Sequence, residues 1–549
     1  MSKTKFKLAA LTAFLTIAGT AQAVALKDVK PGFAKNVIFL IPDGSSSTVS
    51  TLARAVYNDG ESLNIDALAS GLVKTYNSDT FIADSAPAGT ALATGWKTQD
   101  KLIGVKPKAA TLKGARVPEV GDELAPAASV LEAAKLNGKA VGIVATSEVL
   151  HATPADFTTH SIHRNNYSVI GEQQVHQNLN VVFGGGKSYL KKDNATEANS
   201  KKRTDGEDML EALTANGYNI VQTLDEMKSL NKDFVWGLFA EKDIPYDLDR
   251  DKKTVPSLAE MTEKAIELLS KDEDGFFLMV EGSKVDWAGH ANNPVAITSE
   301  FMAFDKAVGV ALEYAKKNSD TLVVAVTDHG TGGISIGNLA TSSNYPELPM
   351  DVFTKDMRKA KFTEVLTAEK ILANKSAAKS LAKDMLGLEL TDAELEGINK
   401  ADKTSGIEAV LGKAMSERAH LGWTTNGHTG EDVPLYVYTS NYANQLTGTV
   451  NNSDIALYIA KAMNLDLDAA TNELFVPGKR IKEMGIDVNI DMTNKFQPIF
   501  TLSKGGKKFV FQENKNYYEL DGKKVKFNGI VVFNGKDVFI PNAALKDII

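Results

Sequence analysis

The run NVIFLIPDG (36–44) constrains the fold more than any other part of the chain. Its apolar residues have no polar interruption, so it cannot be a strand with one wet face. It reads as a strand buried on both sides, as in parallel sheets, closed by a turn. Similar runs recur in KAVGIVATS (139–147), GFFLMVEGS (275–283), TLVVAVTDHG (321–330) and VPLYVYTS (433–440). Helix-patterned stretches precede three of them: APAASVLEAAKLNG, SLAEMTEKAIELLSKDEDG and SEFMAFDKAVGVALEYAKKN. This alternation predicts an α/β fold, a doubly wound and largely parallel sheet flanked by helices. Ligands of such sheets bind outside the carboxyl ends of the strands. Several strands here end in Asp, Glu or His, where a site would be built.

Two regions break the rhythm. Residues 345–420 are rich in Lys, Ala, Glu and Leu and predict a helical surface insertion. Residues 490–549 carry β-branched and aromatic residues with Asp-Gly and Asn-Gly turns, which predicts a small antiparallel β module after a main domain over 24–489. The first 23 residues have the three parts of a secretory leader: basic MSKTKFK, apolar LAALTAFLTIAG, and the small-residue site Ala21-Gln22-Ala23. Cleavage after Ala23 and a periplasmic or secreted protein are expected. The apolar run is too short to anchor in a bilayer, and no later segment reaches about 18 continuous apolar residues.

Composition narrows the chemistry. Lys and Arg number 61 against 69 Asp and Glu, a net charge of −8, or about −11 without Lys3, Lys5 and Lys7 of the leader. A nucleic-acid binder normally shows a basic face, so that class is set aside. The chain has no cysteine, so no disulfide forms and any metal must be held by oxygen and imidazole.

Those ligands cluster at the strand ends. Asp43 closes the first run, VEGSKVDWAGH supplies Glu281, Asp286 and His290, VTDHG supplies Asp328 and His329, and NGHTG places His428 in a Gly-bounded loop. Asp with His suits zinc, and a site rich in carboxylate and hydroxyl oxygen suits magnesium. Asp286 and His290 share a helix face if that segment is helical. The stretch IADSAPAGTALATGW (82–96) reads as a helix with Pro87 in its first turn and Gly95 as its stop. Ser85 then sits at the helix mouth, where free N–H groups and the dipole favour an anion. It is either a plain N-cap or a nucleophile, and Asp84 shapes the turn before it.

Taken together, DSAPAGTALATG, TSEVLHATPADFTTH, VEGSKVDWAGHANN, VTDHGTGG and NGHTG resemble the alkaline phosphatase family over roughly residues 34–480. The resemblance implies an α/β sandwich with a two-zinc, one-magnesium site. It implies hydrolysis of phosphate monoesters through a phosphoserine, by a homodimer. Ser85 matches the nucleophile. Asp286, His290 and His428 match the ligands of one zinc, and Asp43, Asp328 and His329 those of the second, which also activates Ser85. Asp43 is shared with magnesium, whose other ligands would be Thr153 and Glu281. Arg164 matches the arginine that clamps two phosphate oxygens.

The sequence departs from the family at several points. It reads IPDGSSS where a Gly usually precedes the Asp, and Pro87 stands two residues after the nucleophile. His151 and Trp287 occupy positions near the metals that vary within the family. FGGGKS (183–188) lacks the Gly that a phosphate-binding P-loop needs, and SAPAG (85–89) has Gly89 where a sulfatase motif needs Arg. Other classes stay open at this stage: a metal-dependent phosphodiesterase or phosphomutase of the same superfamily, or an exported binding protein without activity.

Overall fold

The computed structural model describes residues 24–192, 201, 203 and 205–549. The expected leader over residues 1–23 lies outside the described residues.

Ten strands form the central sheet: β1 (Asn36–Ile41), β2 (Ala69–Lys74), β3 (Ala140–Glu148), β4 (Val181–Gly185), β5 (Asn219–Val221), β6 (Val235–Leu238), β7 (Phe276–Glu281), β8 (Thr321–Val326), β9 (Val433–Tyr438) and β10 (Gly448–Asn451). Their order is β10-β2-β9-β8-β1-β7-β3-β4-β6-β5. Every pairing is parallel except those of β9, which runs antiparallel to β8 and β2. All six residues of β1, β7 and β8 are buried, as continuous apolar runs demand of strands covered on both faces. Strand β9 instead alternates buried and half-buried residues, the period of a strand with one wetter face.

The two sides of the sheet bury separate cores. On one, Ile38, Leu40, Leu278, Val280 and Val323 pack against α6 (Pro294–Lys317) and α1 (Ser47–Tyr57). On the other, Val37, Phe39, Phe277, Met279 and Val324 meet α2 (Ser85–Thr94), α3 (Ala152–Thr158) and α4 (Tyr167–His176). The first side also receives the helices at Glu364–Ala373, Ala378–Leu386, Asp392–Lys400 and Thr404–Arg418, which bury Ile371, Leu386, Ile398 and Leu411. The helical character expected over 345–420 is thus present, with one face built into the core.

After the main sheet, five strands run antiparallel in sequence order: Asp487–Asp491, Ile499–Lys504, Lys507–Gln512, Tyr517–Leu520 and Lys523–Lys526. Phe500, Leu502, Phe509, Phe511 and Tyr518 form their core. The last strand, Val538–Ile540, pairs with Val476–Pro477, upstream of residue 490. The tail is therefore knitted back to the main body. In the FGGGKS stretch, a Cβ on Gly185 would lie 2.0 Å from the Lys242 carbonyl oxygen. That glycine is there for close backbone packing.

Candidate metal centre and phosphate site

Strand β1 lies between β7 and β8, so the carboxyl ends of all three converge. Beyond β1, Asp43 is fully buried, and Gly44 follows with φ 70°. A side chain at Gly44 would come within 2.6 Å of Asp286, so only glycine lets the turn after β1 close against the helix that follows β7. Glu281 ends β7, and α5 (Lys284–His290) follows it with Asp286 and His290 one turn apart, Oδ2 to Nε2 3.4 Å. Asp328 and His329 follow β8 and are wholly buried. His428 arrives from far along the chain by a two-residue pairing, His428–Thr429 against Gly330–Thr331.

The result is three groups whose ligand atoms lie within 4.8 Å of one another: Asp286, His290 and His428; Asp43, Asp328 and His329; and Asp43, His151 and Glu281. Asp43 belongs to two of them. Every sequence-predicted carboxylate and imidazole ligand falls in these groups; the two predicted hydroxyl ligands, Thr153 and Ser85, lie outside them and are both buried, the Thr153 hydroxyl without a hydrogen-bond partner. Sequence reasoning did not assign His151 to a group; its signal was its place in the turn that enters α3, two residues before Thr153.

Several details show what the groups are built to hold. Both oxygens of Asp43, one of Glu281 and one of Asp328 are buried with no hydrogen-bond partner. A buried carboxylate oxygen without a hydrogen bond is costly; His329 Nε2 stands 3.1 Å from Asp328 Oδ2 and 3.7 Å from Asp43 Oδ1, and the carboxylates that outnumber it fit a cation. His428 Nδ1 donates to the Ala83 carbonyl (2.7 Å) and His290 Nδ1 to that of Asn426 (2.6 Å). Each Nε2 lone pair is then free, and the two face each other at 3.0 Å. Backbone partners that fix the tautomer this way are the usual outer support of metal-bound imidazoles. Thr331 adds another, donating to Asp286 Oδ1 at 2.6 Å.

The charges say the same. Burial, then the negative charges of Asp328, Asp286 and Glu281, raise the Asp43 carboxyl well above its ordinary range. Burial pushes Glu281 to about 7, with Asp328 adding to the rise. Burial would lower His329, but the carboxylates around it, Asp328 foremost and then Asp286 and Asp84, together outweigh it and hold the ring at about 9. The site attracts positive charge of whatever kind.

Ser85 opens α2, with Asp84 as the N-cap and Gly95 in the left-handed C-cap conformation (φ 77°). The whole helix is buried, and Ser85 Oγ lies 3.2 Å from His329 Nε2. Asp84 makes no side-chain cap bond. Its carboxylate instead takes a bond of 2.5 Å from Arg164 Nη1. Burial would raise Asp84, but the guanidinium outweighs it and holds the carboxyl below its ordinary value. Arg164 Nη2 lies 3.3 Å from His151 Nε2. A guanidinium can only donate, so His151 accepts there and carries its proton on Nδ1. Burial, with Arg164 next, lowers this ring to about 4 and keeps it neutral. Trp287 meets His151 edge-on at 5.7 Å. Beside His290 a cleft of about 710 Å³ opens, walled by Trp287, Tyr246, Lys284 and Glu369.

Fold and site together define a class: an α/β sandwich with clustered carboxylates and imidazoles able to hold metal and a helix-mouth serine, at the carboxyl ends of its strands. The alkaline phosphatase family model matches residues 34–465, and the chain belongs to that family. It is 36% identical over 452 residues to alkaline phosphatase 3 of Bacillus subtilis, covering 79% of this chain and 90% of that one. Among solved structures, the cold-active alkaline phosphatase of a Shewanella species superposes with a TM-score of 0.67 at 29% identity, over 78% of this chain and 99% of that one. A variant of the TAB5 alkaline phosphatase, from an Antarctic bacterium, matches with a TM-score of 0.53 at 26% identity over 80% and 99% of the two chains; it has magnesium bound in its M3 site.

Proposed function

We propose that this enzyme hydrolyses phosphate monoesters through a phosphoserine at Ser85, in a centre for two zinc ions and one magnesium ion. The observation that carries the reading is the position of Ser85 Oγ: at a helix mouth, beside His329 and among three ligand groups, two of which share Asp43. Asp286, His290 and His428 would hold one zinc, and Asp43, Asp328 and His329 the other, next to Ser85. Asp43, Glu281 and Thr153 would hold magnesium, an all-oxygen set suited to that ion. When bound, the metals lower the pKa of the serine hydroxyl and stabilise charge on the attacking and leaving oxygens.

The chain's own residues do the rest. The buried helix mouth fixes Oγ and points unpaired N–H groups at the transferred phosphoryl. Arg164 is held by Asp84 and His151, which leaves the remainder of its planar fork for two phosphate oxygens. Ser85 Oγ attacks phosphorus in line and the alcohol leaves as its P–O bond breaks. Water then attacks the phosphoserine, releasing inorganic phosphate and restoring the hydroxyl. An acidic protein binds an anionic substrate because the loaded centre and Arg164 reverse the local sign of charge.

The leader reading places the enzyme in the periplasm or outside the cell, and no helix among the described residues is long and apolar enough to cross a membrane. We further propose a homodimer, which sedimentation of the mature chain tests. We take residues 24–489 as the catalytic domain and 490–549 as an appended β module. The function is tested by hydrolysis of a chromogenic monoester before chelation, after it, and after zinc and magnesium are restored. Activity should vanish and return, and Ser85→Ala should lose at least about a thousandfold in kcat. A diesterase rate above the monoesterase rate would refute the reading.

A further inference from the structure

The loop at residues 513–516 joins two strands of the tail sheet, yet Asn514, Lys515 and Asn516 are all buried. Loops normally stay at the surface because their polar groups need water. This one is buried because the main body answers its polar groups. Lys515 is paired with both Glu172 and Glu207. Asn514 Nδ2 donates to Glu172 Oε2 at 2.8 Å, and Asn514 Oδ1 accepts from Gln173 Nε2 at 3.0 Å. The loop's backbone is tied as well, by Asn514 N–H to the Val531 carbonyl and Val531 N–H to the Lys515 carbonyl.

Glu172 and Gln173 lie on α4, which begins three residues after Arg164. Gln173 reaches back along the chain. Its Oε1 accepts from the His160 N–H at 2.7 Å and its Nε2 donates to the His160 carbonyl at 2.9 Å. One amide therefore holds both main-chain groups of the residue that opens the Arg164 turn. The turn has two other anchors: the Ser161–Ile103 bridge, and Arg164 N–H to the Lys101 carbonyl at 2.8 Å. The His160 ring is fixed separately, between the Gly104 carbonyl and Glu132. The chain of contacts runs without a gap from tail loop to α4 to the arginine turn. The loop also lies beyond residue 465, the end of the family match.

We propose that this tail loop is a positioning element for the phosphate site: Asn514, through Gln173, holds the main chain of His160 and so sets where Arg164 presents its fork. The proposal rests on Arg164 serving the phosphate, as argued above. Asn514 acts through its neighbours and touches no substrate. Its loss lets the turn shift, so it weakens phosphate binding in ground and transition states alike and appears in KM and in inhibition by inorganic phosphate.

The test uses the metal-loaded full chain. Asn514 has φ 65°, a conformation glycine adopts freely, so Asn514→Gly removes the side chain without straining the loop. We expect KM and the inhibition constant of inorganic phosphate each to rise about fivefold, the scale of one buried hydrogen bond, with the change in KM exceeding that in kcat. Gln173→Met breaks the same link from the α4 side and should do the same, so either folded variant suffices. In an Arg164→Ala background Asn514→Gly should add nothing further. Unchanged KM and phosphate inhibition in a folded variant would overturn the proposal, as would an effect of equal size without Arg164. If Arg164→Ala itself left phosphate binding intact, the reading of the site would fail instead.

Discussion

Glu300 sits on α6 with 3% of its surface exposed, and accepts a hydrogen bond of 2.5 Å from the Asp247 N–H. Burial raises it from 4.5 to about 8, against the lowering by the Asp247 N–H bond and the Lys284 charge; the Asp247 and Asp249 carboxylates add smaller rises. A carboxyl whose folded pKa lies above its unfolded one contributes most below the unfolded value and loses that contribution as pH rises to the folded one. Above about pH 8, Glu300 is an ionised buried group that costs stability. Each pH unit costs about 1.4 kcal/mol. About two such units separate pH 6 from the folded pKa, so ionisation should remove roughly 3 kcal/mol by about pH 9.5. Glu300→Gln keeps an acceptor for Asp247 and removes the charge. Denaturant unfolding of both metal-loaded proteins at the two pH values isolates the effect, because every other titration cancels in the difference. The variant's advantage should grow by roughly 3 kcal/mol from the lower to the higher pH. An advantage that is the same at both would show that Glu300 does not titrate across this range.

Two further substitutions probe the scaffold around the site. Gly89 faces α3 one turn after Ser85, and a Cβ there would lie 2.2 Å from Asp156 Oδ2. Gly89→Ala gains helix propensity, yet overpacking should outweigh it and destabilise by about 1–3 kcal/mol while lowering kcat/KM; a higher thermal midpoint with normal turnover would contradict this. Thr331→Val removes the donor to Asp286 Oδ1 and should weaken zinc retention about 10- to 100-fold. Chelator competition measures that, and unchanged retention would count against the role given to Thr331.

Much of the framework was legible because parallel strands leave a strong trace. The NVIFLI run had to be buried on both faces, and it is. The Ser85 helix is bounded by Ser85 and Gly95, since a serine mouth and a left-handed stop are local demands. Asp286 and His290 were readable as a pair because helical spacing imposes their proximity. Strand β9 shows where such reading runs out: its run resembles the others, but its direction depends on which neighbours it meets. His428 reaches the centre by a two-residue pairing too short to leave any periodicity.

The hidden part is the set of contacts that make the site's residues act together. Asp84 was expected to shape its turn; instead it makes no cap bond and grips Arg164, 80 positions away. His151 gives its Nε2 to that same guanidinium while standing beside Asp43 and Glu281. The arginine is thus wired both to the residue before the nucleophile and to the edge of the third ligand group. No single segment encodes this, because each partner taken alone has an ordinary local explanation: a cap, a loop histidine, a surface arginine. Their cost reveals them. A half-buried guanidinium must find acceptors, and the acceptors it finds here are the flanks of the two features that were read separately. Motif spacing therefore located the parts of this site, and the requirement that buried charge be satisfied determined how they are joined.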